Sequence, residues 1–118
     1  MATNPAPISG LTLTTEKTAS EIAVRCTGKI TTDTIQSLKT TVKPLFSEGK
    51  TVALDLTDVN YLDSSGLGAI FGLYISAKAA KSRLKLINLN ERLKELFSLT
   101  RLGQLMAEGR DPDDLTLP

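Results

Sequence analysis

The sequence has no histidine and no tryptophan, one cysteine, and only three phenylalanines and two tyrosines among its 118 residues. Without histidine, one copy of the chain cannot assemble Ser-His or Cys-His nucleophilic catalysis, nor a histidine-containing zinc site. A lone Cys26 permits no disulfide within the chain. In its alternating apolar stretch it reads as a small core residue rather than a redox or ligand group. With so few aromatics the core must be built from Leu, Ile, Val and Ala. Charge of one sign is also lacking: the net charge is +1, with Lys and Arg spread along the chain, so nothing electrostatic favours nucleic acid or an anionic membrane. Long hydrophobic runs are absent too. The most apolar segment, Leu67 to Ile75, falls far short of the ~20 residues that cross a bilayer. Met1 to Gly10 is small and proline-rich and lacks the charged-then-apolar order of a signal peptide. The expectation is a soluble cytoplasmic protein with no membrane insertion and no direct nucleic-acid contact.

What is present fits one α/β domain over residues 11–106, preceded by a flexible segment (1–10) and followed by a Pro- and Asp-rich tail (107–118). Leu11 and Leu13 alternate with threonines, and Ile22, Val24 and Cys26 alternate after a Thr18-Ala19-Ser20 turn, which predicts an antiparallel pair ended by Gly28. Thr31, Thr32 and Asp33 are candidate N-caps for a helix carrying Ile35, Leu38, Val42 and Leu45, which Pro44 should break near Lys43. Val52 to Leu56 reads as a strand covered on both faces, followed by a tight loop. Leu84 to Ile87 reads as another buried strand, and Asn88 or Asn90 caps a helix bearing Leu93, Leu96 and Phe97, with Gly103 beyond its end. Leu105-Met106 suggests a short edge strand with no closing helix after it. The order β-β-α-β-α-β-α predicts a mixed four- to five-stranded sheet with helices packed against it.

The chain is organised around the stretch from Val52 to Lys81. After its strand, Asp63, Ser64, Ser65 and Gly66 lead into a helix that begins at Ser64 or Ser65, where side-chain oxygens can accept from first-turn amides that have no helical partner. Leu67, Ile70, Phe71 and Tyr74 give this helix an apolar face, and Lys78 and Lys81 suit its C-terminal dipole. Gly66, Gly68 and Gly72 each cost about 0.5–1 kcal/mol relative to alanine inside a helix. Close backbone approach explains Gly72. For Gly66 and Gly68, that explanation competes with a helix start left open to a partner or modifying enzyme.

Few chemistries remain. Neither serine has the flanking glycines of a nucleophile elbow. Gly49-Lys50 lacks the upstream glycine of a phosphate-binding loop, because Pro44 stands there. Asp55, Asp58 and Asp63 lack the acidic pair after the first strand that a phospho-aspartate site needs. No metal or cofactor is expected. A serine hydroxyl at a helix start survives, and spacing alone favours a simple cap contributing about 1 kcal/mol.

Leu56-Thr-Asp-Val-Asn-Tyr-Leu-Asp-Ser-Ser-Gly-Leu-Gly68 closely resembles the signature of STAS domains, particularly those of bacterial anti-sigma factor antagonists. The similarity runs from Leu11 to Met106 and includes the Gly28 turn and the Leu93-Lys-Glu-Leu-Phe97 helix. The resemblance implies a binding protein without catalysis of its own. It also implies phosphorylation of the first serine of the motif, here Ser64, by an anti-sigma factor that is a serine kinase. The unphosphorylated form would bind that kinase, phosphorylation would break the complex, and a phosphatase acting on Ser64 would restore it. The implied contact surface comprises Lys29, Thr31 and Asp33 with Asp63, Ser65, Gly66 and Leu67. Thr31 stands where many antagonists carry an acid. The competing expectation is a constitutive STAS subunit of a membrane transport ATPase complex or signalling scaffold, in which Ser64 is only a cap.

Overall fold

The computed structural model describes residues 10–107, so the expectations for the segment before Gly10 and the tail after Ala107 lie outside it. Its strands are β1 (Leu11–Lys17), β2 (Glu21–Ile30), β3 (Thr51–Leu62) and β4 (Arg83–Ile87). Its helices are α1 (Ile35–Val42), α2 (Ser64–Ala79), α3 (Glu91–Phe97) and α4 (Arg101–Ala107). A 3-10 helix, Lys43–Glu48, follows α1. The strands form one mixed sheet in the order β1-β2-β3-β4. β1 and β2 form the expected hairpin, while β2/β3 and β3/β4 are parallel. Parallel neighbours require crossovers, supplied by α1 with its 3-10 extension and by α2.

Register concentrates the apolar side chains on one face. Ile22 and Val24 align with Val52 and Leu54, and these with Leu84 and Leu86. All are buried, in one core with Leu38, Ile70, Leu73, Leu93 and Phe97. The other face is polar: Arg25 pairs with Asp58 at 2.9 Å and Lys85 with Glu21 at 2.7 Å. β3 is therefore not apolar on both faces, and Asp55 is half-buried on the polar side. Burial pulls the Asp55 carboxyl upward, but hydrogen bonds from Thr57 and Asn88 outweigh it and hold the group below its ordinary range.

Other departures from the sequence reading have local causes. β2 passes through Gly28 to Ile30, and β3 continues through the expected loop to Leu62, because Thr27, Gly28, Lys29 and Ile30 keep pairing with Asp58, Val59, Tyr61 and Leu62 across two bulges. Backbone pairing here overrides the poor strand preference of Asp58 and Asn60. Gly28 has φ 117°, and a Cβ there would strike the Gly10 carbonyl.

None of Thr31, Thr32 or Asp33 caps α1. Thr34 holds that position, with its hydroxyl turned into the loop instead. Pro44 ends α1 at Val42 as expected, the chain tightening into the 3-10 helix. Asn90, not Asn88, caps α3, accepting from the Leu93 amide at 2.8 Å. Phe97 of α3 meets Phe71 of α2 edge to face, with ring centroids 6.1 Å apart.

The expected edge strand at Leu105-Met106 is instead in α4, a closing helix that buries both side chains. Thr100 starts it, its hydroxyl accepting from the Gly103 amide at 2.9 Å. Gly103 thus lies inside a helix rather than beyond one. Among the described residues no helix is long and apolar enough to cross a membrane.

Candidate functional site

Ile30 and Leu62 are register partners at the carboxyl ends of two parallel strands. From that point the chain leaves as the loop into α1 and as the start of α2. Carboxyl ends of parallel strands are where sites gather in α/β sheets, since loops from neighbouring strands converge there. The two exits are fastened together. The Asp63 amide donates to the Ile30 carbonyl at 3.3 Å. One Asp63 carboxylate oxygen accepts from the Gly66 amide at 2.8 Å, capping α2, and the other accepts from the Thr32 amide at 3.4 Å.

The cap is therefore Asp63, and the reading of Ser64 as a cap does not hold. The helix does begin at Ser64, in its first helical position. Ser64 is exposed, and among the described residues its hydroxyl makes no hydrogen bond. Ser65 differs. It is half-buried, and its Oγ accepts from the Thr32 hydroxyl at 2.9 Å.

Gly66 is buried and explains itself by packing: a Cβ there would strike the Ile30 carbonyl and lie 2.8 Å from the Leu62 side chain. It is too enclosed to serve as the expected partner contact. Close backbone approach thus belongs to Gly66 and not to Gly72, where an added Cβ meets nothing. The same open space surrounds Gly68, one turn into an exposed helix start.

The loop beside this helix start is internally braced. Thr34, 1% exposed, donates through Oγ1 to the Lys29 carbonyl and accepts from the Thr31 amide, both at 2.9 Å. Lys29 and Asp33 are exposed and Thr31 is half-buried. Together with Asn60 and Tyr61 these three line a surface groove. Leu67 is half-buried and packs against the core. Of the residues expected to form a contact surface, Asp63 and Ser65 are tied by Thr32 to the loop carrying Thr31 and Asp33, Lys29 flanks them, Leu67 is half-buried beside them and Gly66 is buried.

Sequence reasoning missed Tyr61, which is 46% exposed. It joins this groove to a second one, lined also by Leu93, Leu96 and the 75% exposed Leu99. A lone exposed aromatic in a chain so poor in aromatics was the available signal. No group of three or more His, Cys, Asp or Glu side chains among the described residues could hold a metal ion. Cys26 is buried beneath the sheet, and burial, reinforced by the Asp55 charge, pushes its thiol up to about 12.

Comparison with known proteins gives concordant results. The family model for the STAS domain matches residues 12–113. The anti-sigma-B factor antagonist of Bacillus subtilis (strain 168) is 36% identical over 87 residues, covering 74% of this chain and 80% of the relative. The anti-sigma factor antagonist SpoIIAA in its unphosphorylated form superposes with a TM-score of 0.65 at 20% identity, over 78% of this chain and 83% of that one. SpoIIAA of Bacillus in the phosphorylated form gives 0.62 at 20% identity, over 78% and 86%. The mixed four-stranded sheet with its helices is the fold of these structures. This chain belongs to the STAS domain family and is a relative of the bacterial anti-sigma factor antagonists.

Proposed function

We propose that this chain is an anti-sigma factor antagonist working in a phosphorylation-controlled partner switch, with Ser64 as acceptor and no catalysis of its own. The observation that carries the reading is the division of labour at the α2 start. Asp63 caps the helix, so the exposed Ser64 hydroxyl has no structural duty and is open to a modifying enzyme. The relatives' names supply the partner class, an anti-sigma factor. That the solved relative SpoIIAA exists in unphosphorylated and phosphorylated forms supports a modification switch.

In the proposed cycle the unmodified protein occupies an anti-sigma factor that is also a serine kinase. Ser64 Oγ attacks the terminal phosphoryl group of a nucleoside triphosphate held by the kinase. The new O–P bond forms as the bond to the departing diphosphate breaks, and the hydroxyl proton passes to a base on the kinase. A phosphatase reverses the step with water, releasing inorganic phosphate. The added ~1.5–2 negative charges sit beside the Asp63 carboxylate and near helix-start amides that tolerate an anion. The fold accommodates them, and a partner surface packed over Thr31, Asp33 and the helix start does not. The cycle takes place in the cytoplasm.

The test is affinity capture from native lysates with Ser64→Ala and Ser64→Asp baits. The switch predicts a serine kinase of the anti-sigma type recovered with Ser64→Ala and lost with Ser64→Asp. Equal recovery of one stable partner, such as a transporter subunit or scaffold, by both baits would overturn it in favour of a constitutive subunit.

A further inference from the structure

Two hydroxyls lie side by side in the Asp63-Ser64-Ser65-Gly66 turn, and the structure treats them differently. We infer that Thr32 is a specificity-determining residue for this site: its hydroxyl occupies Ser65 Oγ and so confines modification to Ser64. The inference deepens the proposed switch and rests on it.

Three observations carry the assignment. The first is the contact itself. Thr32 Oγ1 donates to Ser65 Oγ at 2.9 Å, a bond that holds the Ser65 rotor toward the loop and must be broken before that oxygen can turn to a phosphoryl group. The second is that Thr32 is held in place. Its amide is bound to the Asp63 carboxylate at 3.4 Å, and its loop is fixed by the buried Thr34 hydroxyl and by the Asp63 amide on the Ile30 carbonyl. The third is the contrast with Ser64, exposed and without a hydrogen bond among the described residues, whereas Ser65 is half-buried. Ser64 and Ser65 share the helix start and the dipole. What separates them is the loop from β2 laid over one of the two.

Thr32 touches no reacting atom of Ser64 and is a positioning residue. Removing its hydroxyl should not silence Ser64. It should free Ser65.

Thiol labelling tests the guard without any kinase. The natural Cys26 is fully buried with its thiol pushed up to about 12, so it gives a silent background in the folded protein. With iodoacetamide, limiting rates are compared at pH values where both thiols are fully ionised, so that a hydrogen bond to the thiolate lowers its nucleophilicity without raising its amount. The Ser65→Cys variant should then label at least about fivefold more slowly than Ser64→Cys, the factor one hydrogen bond of ordinary net strength corresponds to. Thr32→Val should close most of that gap, and Thr32→Ser should preserve it. Equal rates for the two cysteines, or a gap untouched by Thr32→Val, would overturn the guard whatever the fate of the switch.

Phosphosite mapping in the native host supplies the functional arm. Ser64→Ala alone should carry no phosphate at this turn, whereas Ser64→Ala combined with Thr32→Val should acquire it on Ser65. Phosphate on Ser65 in Ser64→Ala alone, or its absence from the double variant, would contradict the inference. A wild-type protein without phosphate on Ser64 would remove the switch itself, and the assignment with it.

Discussion

At the residue scale, Asp63 and Ser64 are neighbours with opposite assignments, and substitution should separate them. Asp63→Ala removes the acceptor for the Gly66 amide and frees the Thr32 amide. It should cost about 1–2 kcal/mol in denaturant unfolding, as lost caps do. Ser64→Ala should change stability by no more than about 0.5 kcal/mol, the usual range for a surface position. A larger loss at Ser64 would mean that the hydroxyl has the structural duty denied to it here. The motif made the turn legible, but not which residue caps it. Ser, Thr, Asp and Asn all have side-chain oxygens that suit the role, and only the paired exits of β2 and β3 select Asp63.

Cys26 makes a separate prediction. Its folded thiol is pushed up to about 12, chiefly by burial, against about 8.5 in an unfolded chain. The neutral thiol's contribution is therefore fully present below pH ~8.5 and is lost as pH rises toward the folded value, by about 1.4 kcal/mol per pH unit. Chemical denaturation between pH 8.5 and 10.5 should show a slope of that size which Cys26→Ala removes. An unchanged slope would contradict the assignment to Cys26.

At the scale of elements, the chain was most legible where period and burial agree: the hairpin, the core half of β3, α2 and β4. It was least legible where contacts distant in sequence decide. The second half of β3 is polar and reads as a loop, yet it remains a strand because β2 lies alongside it as far as Leu62. α4 was hidden by Gly103, which reads as a helix stop. In fact its missing side chain lets the helix start press against the Phe97 carbonyl. Since α4 places Met106, 4% exposed, in the core cluster shared with the rest of the fold, Met106→Ala should cost about 2–5 kcal/mol in equilibrium unfolding. A loss below 1 kcal/mol would indicate that α4 is not a closing helix in solution.

At the scale of the whole molecule, a single mixed sheet carries the core on one face. A chain without histidine, with one buried cysteine and near-neutral charge, folds into a sheet with its helices on a single core and its candidate site at one end. Fold class was legible, and a candidate site could be named, because a specific motif sits at a strand-to-helix junction. The inward role of Gly66 and the bracing by Thr32 and Thr34 were not, because they depend on how closely β2 and α2 approach. Since the site lies on exposed turns outside that core, phosphorylation of Ser64 should leave the thermal melt nearly unchanged while partner affinity falls by orders of magnitude. Calorimetry on both purified forms checks this. A large drop in melting temperature on phosphorylation would mean that the switch works by unfolding and not by charge and steric mismatch.

The most direct test of the central claim is site-resolved phosphopeptide mass spectrometry on the protein isolated from its native cells, growing and stressed. Phosphate is expected on Ser64, with an occupancy that changes between the two conditions. Ser64 unmodified under every condition, or phosphate found solely on Ser65, would contradict it.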